Sequence, residues 1–246
     1  MGSLRVRIVG NGRAGGAFRE ALSGVSDITL APRFDRRDVP DASRDTDMVI
    51  LAVPDGVISN VARLIRPSAG VVFIHLSGAA PLDALLPHTR RASLHPLAAM
   101  SDAHHGARAL RGAWMAVAGD PLVERIARAL DARMIRVAEG DRVRYHAAAV
   151  IASNHVVALL GQVERVALSV GVPLEAFLEL SATALENTRR AGPKAALTGP
   201  VSRGDWETVR AHIAALPDSE RKAYVVSAQQ ACILAERLWP SDLTAT

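Results

Sequence analysis

The stretch Arg5–Phe18, RVRIVGNGRAGGAF, decides the fold of this chain. Its first half alternates apolar and polar residues through Val6 and Ile8, which predicts a β-strand. A glycine-rich turn follows at once, and the residues after Gly15 are compatible with a helix. A strand, a glycine-rich turn and a helix in this order are typical of a dinucleotide-binding fingerprint.

Each glycine of this turn has an expected role. Gly10 permits the tight turn, Gly12 lets the backbone approach a pyrophosphate, and Gly15 lets the helix lie close to the strand. The unpaired N–H groups at the start of the helix would face the phosphates. The predicted cofactor-binding residues of the turn are Gly10, Asn11, Gly12, Arg13, Ala14 and Gly15. Such a turn also occurs without a ligand, so the fingerprint depends on its place between strand and helix.

The composition of the chain argues against several classes of partner. Its 246 residues are 49% hydrophobic, which is enough for one large or two modest domains. The pI is 9.9, but the net charge is only +4 and the basic residues are scattered among acids. We therefore expect no nucleic-acid binding, which needs a contiguous basic stripe, whereas a small polyanionic ligand remains compatible.

The single cysteine and the absence of targeting patterns bear on location. Cys232 cannot form an internal disulfide, so a reducing, cytoplasmic compartment is expected, with Cys232 as a buried small hydrophobe. The chain opens on a predicted strand rather than on a signal peptide. Its most apolar segment, 147–160, is interrupted by polar residues and is predicted to be too short for a membrane span. We also expect no metal site.

The end of the second predicted strand, Asp27–Ala31, bears on the cofactor. In dinucleotide folds an acid at this point binds the ribose 2′-hydroxyl, whereas an arginine accommodates a 2′-phosphate. Here Pro32 and Arg33 follow the strand, which favours NADP. Asp35 is the one residue that would argue for NAD, and an ordinary solvated charged loop is the alternative interpretation.

Polar residues end the next predicted strands. The run Met48–Val53 is continuously apolar, as expected of a strand buried on both faces, and the run Val71–Leu76 resembles it. Ligands bind at the carboxyl ends of the strands in a doubly wound sheet. The residues that follow these strands and are predicted to line the cofactor site are Val53, Pro54, Asp55, Ser77 and Gly78. The strand 92–96 carries His95 at its end.

The alternation of strands and helices predicts an α/β Rossmann domain with a doubly wound parallel sheet over residues 1–139. From residue 140 to 246 the pattern predicts only helices, beginning with one long helix capped by Asp141. The 192–205 connection is unusually long, which is typical of functional loops. It supplies Thr198 and Arg203 as candidate substrate-binding residues.

Two polar residues of the long helix are candidates for catalysis. His146 and Asn154 lie about 80° apart around a regular helix axis, so they would share a broad face. A lone histidine on an apolar helix is often a satisfied core residue. Alanine-rich helices of this kind suit a homodimer interface, although they suit an ordinary core equally.

A resemblance to a known family rests on six motifs of the sequence. They are NGRAG (11–15), VPD (53–55), HLSG (75–78), SLHP (93–96), YHAAAVIASN (145–154) and LTGPVSRGD (197–205). Together they resemble Rossmann-like proteins with a C-terminal helical domain of unknown function, in the 6-phosphogluconate-dehydrogenase-like superfamily. Relatives there include β-hydroxyacid dehydrogenases, prephenate dehydrogenases, pyrroline-5-carboxylate reductases and ketopantoate reductases. The resemblance implies hydride transfer with a nicotinamide cofactor.

The resemblance extends to site residues only in part. Asn154 matches the catalytic asparagine of β-hydroxyacid dehydrogenases, but their lysine position falls on Val150. His95 with Pro96 is similar to the His-Pro of prephenate dehydrogenases, and His146 is the other candidate proton donor, since a histidine can act as general acid near neutral pH.

The sequence thus predicts an NADP-dependent oxidoreductase that reduces a small acid bearing a carbonyl or imine, such as a 2-oxo acid. A nucleotide-binding sensor or scaffold without turnover is the alternative, because the expected lysine is missing.

Overall fold

The computed structural model describes residues 2–33 and 36–243, apart from the Arg36 side chain. The chain forms two compact units, residues 1–153 and 154–246. The first unit holds a Rossmann-type α/β sheet and the second is helical, which confirms the predicted fold class. The division lies beyond the predicted boundary at 139/140, because the helix that begins at Arg142 is hydrogen-bonded to the sheet.

The first unit is built on a seven-stranded sheet with the order β2-β1-β3-β4-β5-β6-β7. The strands are β1 (Leu4–Val9), β2 (Ile28–Leu30), β3 (Met48–Leu51), β4 (Val72–His75), β5 (Arg91–Pro96), β6 (Trp114–Gly119) and β7 (Arg133–Ile135). All neighbours pair in parallel except β5 and β6, which pair antiparallel. The sheet is therefore mostly parallel rather than wholly so.

The central strands form the core of this unit. Every residue of β3 and β4 is buried, as the apolar runs predicted for a sheet covered on both faces. The chain leaves β1 toward β2 on one side and returns to β3 on the other. The crevice at this switch point, beyond the carboxyl ends of β1 and β3, is where such sheets bind ligands.

Helices cover both faces of the sheet. They are α1 (Arg13–Leu22), α2 (Ile58–Leu64), α3 (Ala103–Leu110) and α4 (Val123–Ala129), and α5 (Arg142–Val150) ends this unit. Helices α1 and α3 pack closely at Gly16, where a Cβ would lie 2.8 Å from the Ala103 Cβ. Among the described residues between β2 and β3, the connection forms a 3₁₀ segment, Arg36–Asp41.

The long helix predicted from Asp141 is interrupted. Helix α5 passes into a π-helical turn, Ile151–His155, before α6 (Val156–Leu168). The turn changes the rotation between His146 and Asn154, so the 80° separation calculated for a regular α-helix does not hold. The capping role predicted for Asp141 is also wrong, since its side chain bonds no helix N–H and pairs with Arg144 instead.

The second unit contains helices before, within and after the 192–205 connection. They are α6, α7 (Leu174–Ala191), α8 (Pro193–Ala196), α9 (Pro200–Arg203), α10 (Trp206–Ala215) and α11 (Asp218–Leu234). The predicted long loop is therefore wrong: it is two short helical turns, each started by a Gly-Pro step. Asp205 caps α10 by accepting a hydrogen bond from the Thr208 N–H. Cys232 is buried, as its sequence context predicted.

The helical run Glu139–Leu168 is 30 residues long, with a mean hydropathy of 1.3 in its most apolar window. By length and composition this run could cross a membrane. The prediction that the segment 147–160 is too short for a membrane span is therefore wrong for the longer helical run that contains it. Length and composition are weak evidence, and the first turn of α5 is anchored to the sheet by Arg142. The homodimer and the cytoplasmic location stay predictions.

Candidate functional site

A cavity of about 700 Å³ lies at the switch point of the sheet. Half of the predicted cofactor residues line it, namely Gly10, Asn11, Gly12, Arg33, Val53 and Pro54. Its apolar wall is formed by side chains from α2 and the segments before it, including Val39, Val57, Val61 and Leu64. A cavity that combines apolar side chains with a glycine-rich turn and arginines has the character of a nucleotide site.

The glycine-rich turn has the geometry that its sequence predicts. Gly10 has a φ of +117°, and a Cβ there would lie 2.2 Å from the Ala52 carbonyl oxygen. A Cβ on Gly15 would lie 2.1 Å from the Gly10 carbonyl oxygen. These contacts confirm the tight turn at Gly10 and the close helix packing at Gly15, because only glycine fits at either position.

Gly12 differs from the other two glycines and bears on whether a cofactor fits. A Cβ on Gly12 would meet no described atom within 4 Å, and its φ is −71°, which any residue can adopt. Protein packing therefore gives no reason for glycine here. A group bound against the start of α1 does give one, since the unpaired N–H groups of the first turn and the positive helix end would face its phosphates.

Two arginines belong to the lining of the cavity. Arg33 lines it as predicted, and Arg19 of α1 joins it. Arg19 donates to the carbonyl oxygens of Ile8 (3.2 Å) and Ala31 (3.4 Å), which fixes its guanidinium beside the ends of β1 and β2. Burial, and after it the charge of Arg33, lowers the Arg19 pKa. Such a concentration of positive charge fits a 2′-phosphate.

Sequence reasoning missed Arg19 because nothing in a helical arginine marks its approach to Ile8 and Ala31, which lie 11 and 12 positions away. Asp35, the residue that would argue for NAD, lies outside the described residues. The cavity therefore fits NADP on the residues that the structure describes.

A second polar cluster follows β3 and β4, away from the cavity lining. The Ser77 hydroxyl donates to Asp55 Oδ2 at 2.5 Å and accepts from the backbone N–H of Ala80 at 2.9 Å. This bond joins the turns after the two strands. The remaining predicted cofactor residues, which do not line the cavity, are Arg13, Ala14, Gly15, Asp55, Ser77 and Gly78.

Arg142 anchors α5 over these strand ends. Its guanidinium is buried and donates three hydrogen bonds of 2.9 Å, to the Ser77 and Ala80 carbonyl oxygens and to Ser93 Oγ. Burial lowers the Arg142 pKa, and Glu139 raises it in part. Because β4, β5 and α5 all meet at this side chain, Arg142 determines where the next residues of α5 stand.

Three aromatic side chains meet beside Arg142. His95 Nδ1 and the Tyr145 hydroxyl are 2.8 Å apart, and the two rings are edge-on with centroids at 5.5 Å. The His146 ring lies edge-on to His95 at the same centroid distance. The structure thus brings together both histidines predicted to be catalytic and adds Tyr145, which stands out in the sequence only against its neighbouring alanines.

Gly78 provides the space for this arrangement. A Cβ on Gly78 would lie 2.6 Å from His146 Nδ1 and 2.9 Å from His95 Cε1. The histidine rings therefore lie against the Cα of Gly78. His146 Nδ1 is buried and finds no hydrogen-bond partner within residues 2–33 and 36–243.

Burial sets the protonation of His95. Desolvation first, and then the charges of His146 and Arg142, lowers the His95 pKa to about 4, with Asp55 opposing. A histidine with this pKa is neutral at pH 7. This state does not fit the proton-donor role predicted for His95, because a general acid must carry the proton that it transfers.

His75, under the same turn, is also held neutral. Its side chain is fully buried at the end of β4, and desolvation and Arg142 lower its pKa to about 4. The Pro81 carbonyl lies near the ring, but neither ring nitrogen makes a hydrogen bond of acceptable geometry to any described residue. The strand ends thus combine a buried cation with two neutral histidines.

The other predicted site residues belong to the helical unit. Asn154 lies exposed in the π-helical turn, Thr198 is exposed just before α9, and Arg203 is exposed at the end of α9. Their roles in binding or catalysis stay predictions. Among the described residues, no three histidine, cysteine, aspartate or glutamate side chains form a group that could hold a metal ion.

Residues 116–231 match the sequence profile of a domain of unknown function, DUF2520. The chain is a Rossmann-like protein with a helical C-terminal region of unknown function. The matched region begins in β6 and includes Arg142, Tyr145 and His146, while His95 lies before it. The resemblance found in the sequence motifs is confirmed for the DUF2520 region and for a Rossmann-type sheet followed by helices. Comparison with curated proteins gives no match.

Solved structures similar to the chain include reductases. A Bacteroides fragilis protein, provisionally assigned as an NADP oxidoreductase, is 15% identical with a TM-score of 0.77 and covers 94% of this chain and 98% of its own. A Thermotoga maritima protein is 25% identical with a TM-score of 0.72 and the same coverage. The Plasmodium falciparum pyrroline carboxylate reductase, solved with NADP bound, is 12% identical with a TM-score of 0.61 and covers 96% of this chain and 99% of its own.

Proposed function

We propose that the protein is an NADP-dependent oxidoreductase that reduces the carbonyl or imine group of a small acid. The observation that carries the proposal is the cavity at the switch point, which is lined by the Gly10–Gly12 turn together with Arg19 and Arg33. The similar structures, which include reductases, support the same activity.

Within this proposal each part of the site has a stated task. The N–H groups at the start of α1 bind the pyrophosphate, and Arg19 and Arg33 bind the 2′-phosphate. When bound, NADPH supplies the hydride. The cluster of Arg142, His95 and Tyr145 at the ends of β4 and β5 handles the proton that must accompany it.

Calorimetric titration with NADPH and NADH tests the cofactor. A 2′-phosphate paired with arginine gains charge-assisted hydrogen bonds, so Arg33→Ala should weaken NADPH binding by on the order of 1.5–3 kcal/mol and leave NADH binding unchanged. Arg108→Ala is the matched control, because Arg108 is an exposed arginine of α3 that does not line the cavity. Equal affinities for the two cofactors in the wild type would contradict the choice of NADP.

Turnover separates the enzyme from the alternative. Purified protein is mixed with NADPH and a panel of 2-oxo acids, aldehydes and cyclic imines while nicotinamide absorbance is followed. Substrate-dependent oxidation of NADPH supports the oxidoreductase. Tight NADPH binding without oxidation by any member of the panel favours the nucleotide-binding sensor or scaffold.

A further inference from the structure

The proposed function does not say which residue of this cluster gives up the proton, and Tyr145 is a candidate for that role. Its hydroxyl is 2.8 Å from His95 Nδ1, and its ring is half-buried beside Arg142. We propose that the Tyr145 hydroxyl donates the proton to the substrate, that His95 is its hydrogen-bond partner, and that the reduced group is a carbonyl rather than an iminium ion. This inference rests on the proposed reductase function and specifies its substrate class.

The protonation states of the pair fit this division of roles. Burial raises the pKa of Tyr145, although Arg142 opposes the rise, so the phenol carries its proton throughout the neutral range. His95, with a pKa of about 4, is neutral over the same range. Of the two side chains joined by this hydrogen bond, Tyr145 is thus the one that holds an acidic proton at pH 7.

The direction of the hydrogen bond decides whether that proton is available. If His95 carries its ring hydrogen on Nδ1, it donates to the Tyr145 oxygen and leaves the phenol O–H free for a substrate atom. If the hydrogen is on Nε2, Tyr145 must donate to His95, and the phenol proton is already engaged. The proposal therefore requires the Nδ1–H tautomer of His95.

The chemical step is balanced with the groups present. As the carbonyl carbon gains a hydride, its oxygen takes the Tyr145 proton, so the carbonyl is reduced to an alcohol and the nicotinamide is oxidised. The phenolate left behind accepts the His95 Nδ1–H bond and lies near the Arg142 guanidinium, which favours its charged form. A proton from solvent then restores the phenol.

This arrangement favours a carbonyl over an iminium substrate. A carbonyl oxygen develops negative charge as the hydride arrives and needs a proton donor at that point. An iminium carbon can accept hydride to give a neutral amine without one. A neutral phenol backed by a neutral histidine and a nearby guanidinium matches the first demand.

The chain offers a matched control in its only other tyrosine. Tyr224 makes the same bond to His212 Nδ1, also at 2.8 Å, within the helical unit. We compare Tyr145→Phe and Tyr224→Phe for NADPH affinity and for turnover of the carbonyl substrates that the wild type accepts. Tyr145→Phe should lower kcat by about 10²–10⁴-fold with NADPH affinity unchanged, whereas Tyr224→Phe should change kcat by less than about threefold. An unimpaired Tyr145→Phe overturns the proposal.

His95 is a positioning residue, and a pair of isosteric variants tests this role. The amide N–H of asparagine can replace the Nδ1–H of histidine, whereas leucine cannot donate a hydrogen bond. His95→Asn should therefore retain kcat within about tenfold, and His95→Leu should lose about as much as Tyr145→Phe. Equal losses in the two variants overturn the positioning role.

A measurement without substrate or cofactor separates failure of this inference from failure of the proposed function. ¹⁵N NMR of the histidine rings, assigned with His95→Asn, should show neutral His95 with its hydrogen on Nδ1 at pH 7, and the signal should shift in Tyr145→Phe but not in Tyr224→Phe. The Nε2–H tautomer overturns the inference even in an active reductase. Absence of NADPH binding overturns the proposed function whatever the tautomer.

Discussion

The two tyrosine–histidine pairs of this protein make the same bond in different surroundings. Tyr145 with His95 and Tyr224 with His212 each join a hydroxyl to Nδ1 at 2.8 Å, with the rings nearly perpendicular. Their local geometry does not distinguish them. Whatever chemical difference exists between the pairs must come from the residues around them.

The surroundings differ in burial and in charge. His95 stands at a strand end, where burial first, and then the charges of His146 and Arg142, lower its pKa to about 4, with Asp55 opposing. His212 is an exposed residue of α10, and burial alone raises the pKa of Tyr224. A buried guanidinium and the burial of His95, rather than the hydrogen bond, make the first pair a candidate for chemistry.

The largest expected effect comes from removing the guanidinium. Arg142→Met leaves the buried Ser77 carbonyl and Ser93 hydroxyl, and the half-buried Ala80 carbonyl, without their donor, and each unsatisfied buried group costs about 1–3 kcal/mol. We expect the free energy of unfolding of the sheet unit to fall by about 3 kcal/mol or more, measured by urea denaturation.

Arg210→Met is the control for this loss. Arg210 pairs with Asp242 at the surface, where ion pairs contribute about 0–1 kcal/mol. If both variants lose the same small amount, Arg142 does not anchor α5, and the first pair loses what distinguishes it from the second.

Part of this site could be predicted from the sequence and part could not. The β1 strand, the Gly10–Gly15 turn and α1 follow from local periodicity and from the space that glycine leaves, so adjacent residues determine them. Asp55, Ser77 and His95 could be expected at strand ends because a parallel sheet collects the carboxyl ends of its strands at one edge.

The remaining features depend on contacts between distant residues. Arg142 looks like a solvated residue at a helix start, and only its bonds to the turn after β4 and to Ser93 of β5 show that it is buried. The partnership of Tyr145 with His95 joins residues 50 positions apart. The antiparallel direction of β6 and the π-helical turn in the long helix likewise correspond to no local pattern in the sequence.

A smaller effect concerns the pH dependence of stability. His75 and His95 have pKa values of about 4 in the folded protein and about 6.5 when unfolded, so the unfolded state binds more protons between these values. Folding stability should therefore fall as pH is lowered from about 6.5 to about 4, by roughly 2 kcal/mol at pH 5 for each histidine.

Thermal unfolding measured from pH 7 to pH 4 checks this expectation. His95→Asn removes one titrating group and should flatten the decline by the share of one histidine. An unchanged slope in this variant would show that His95 is not held neutral by Arg142, His146 and burial. It would then resemble an ordinary exposed histidine, and the contrast between the pairs would disappear.

The smallest expected effect comes from Gly78, which makes room for both rings. In Gly78→Ala the new methyl group would lie 2.6 Å from His146 Nδ1 and 2.9 Å from the His95 ring, so at least one ring must move. Overpacking of this kind costs typically about 1–3 kcal/mol, and we expect the low end because His95 and His146 are only half-buried.

Gly56→Ala is the matched control, since Gly56 follows the neighbouring strand β3 and its Cβ would meet nothing within 4 Å. Urea denaturation measures the cost, and the histidine ring signals report the movement. His95 should lose its bond to Tyr145 in Gly78→Ala and keep it in Gly56→Ala, while the Tyr224–His212 pair keeps its signals in both variants. If the His95 signal is the same in all three proteins, the rings are not held by the turn after β4, and water has access to the first pair as it has to the exposed His212.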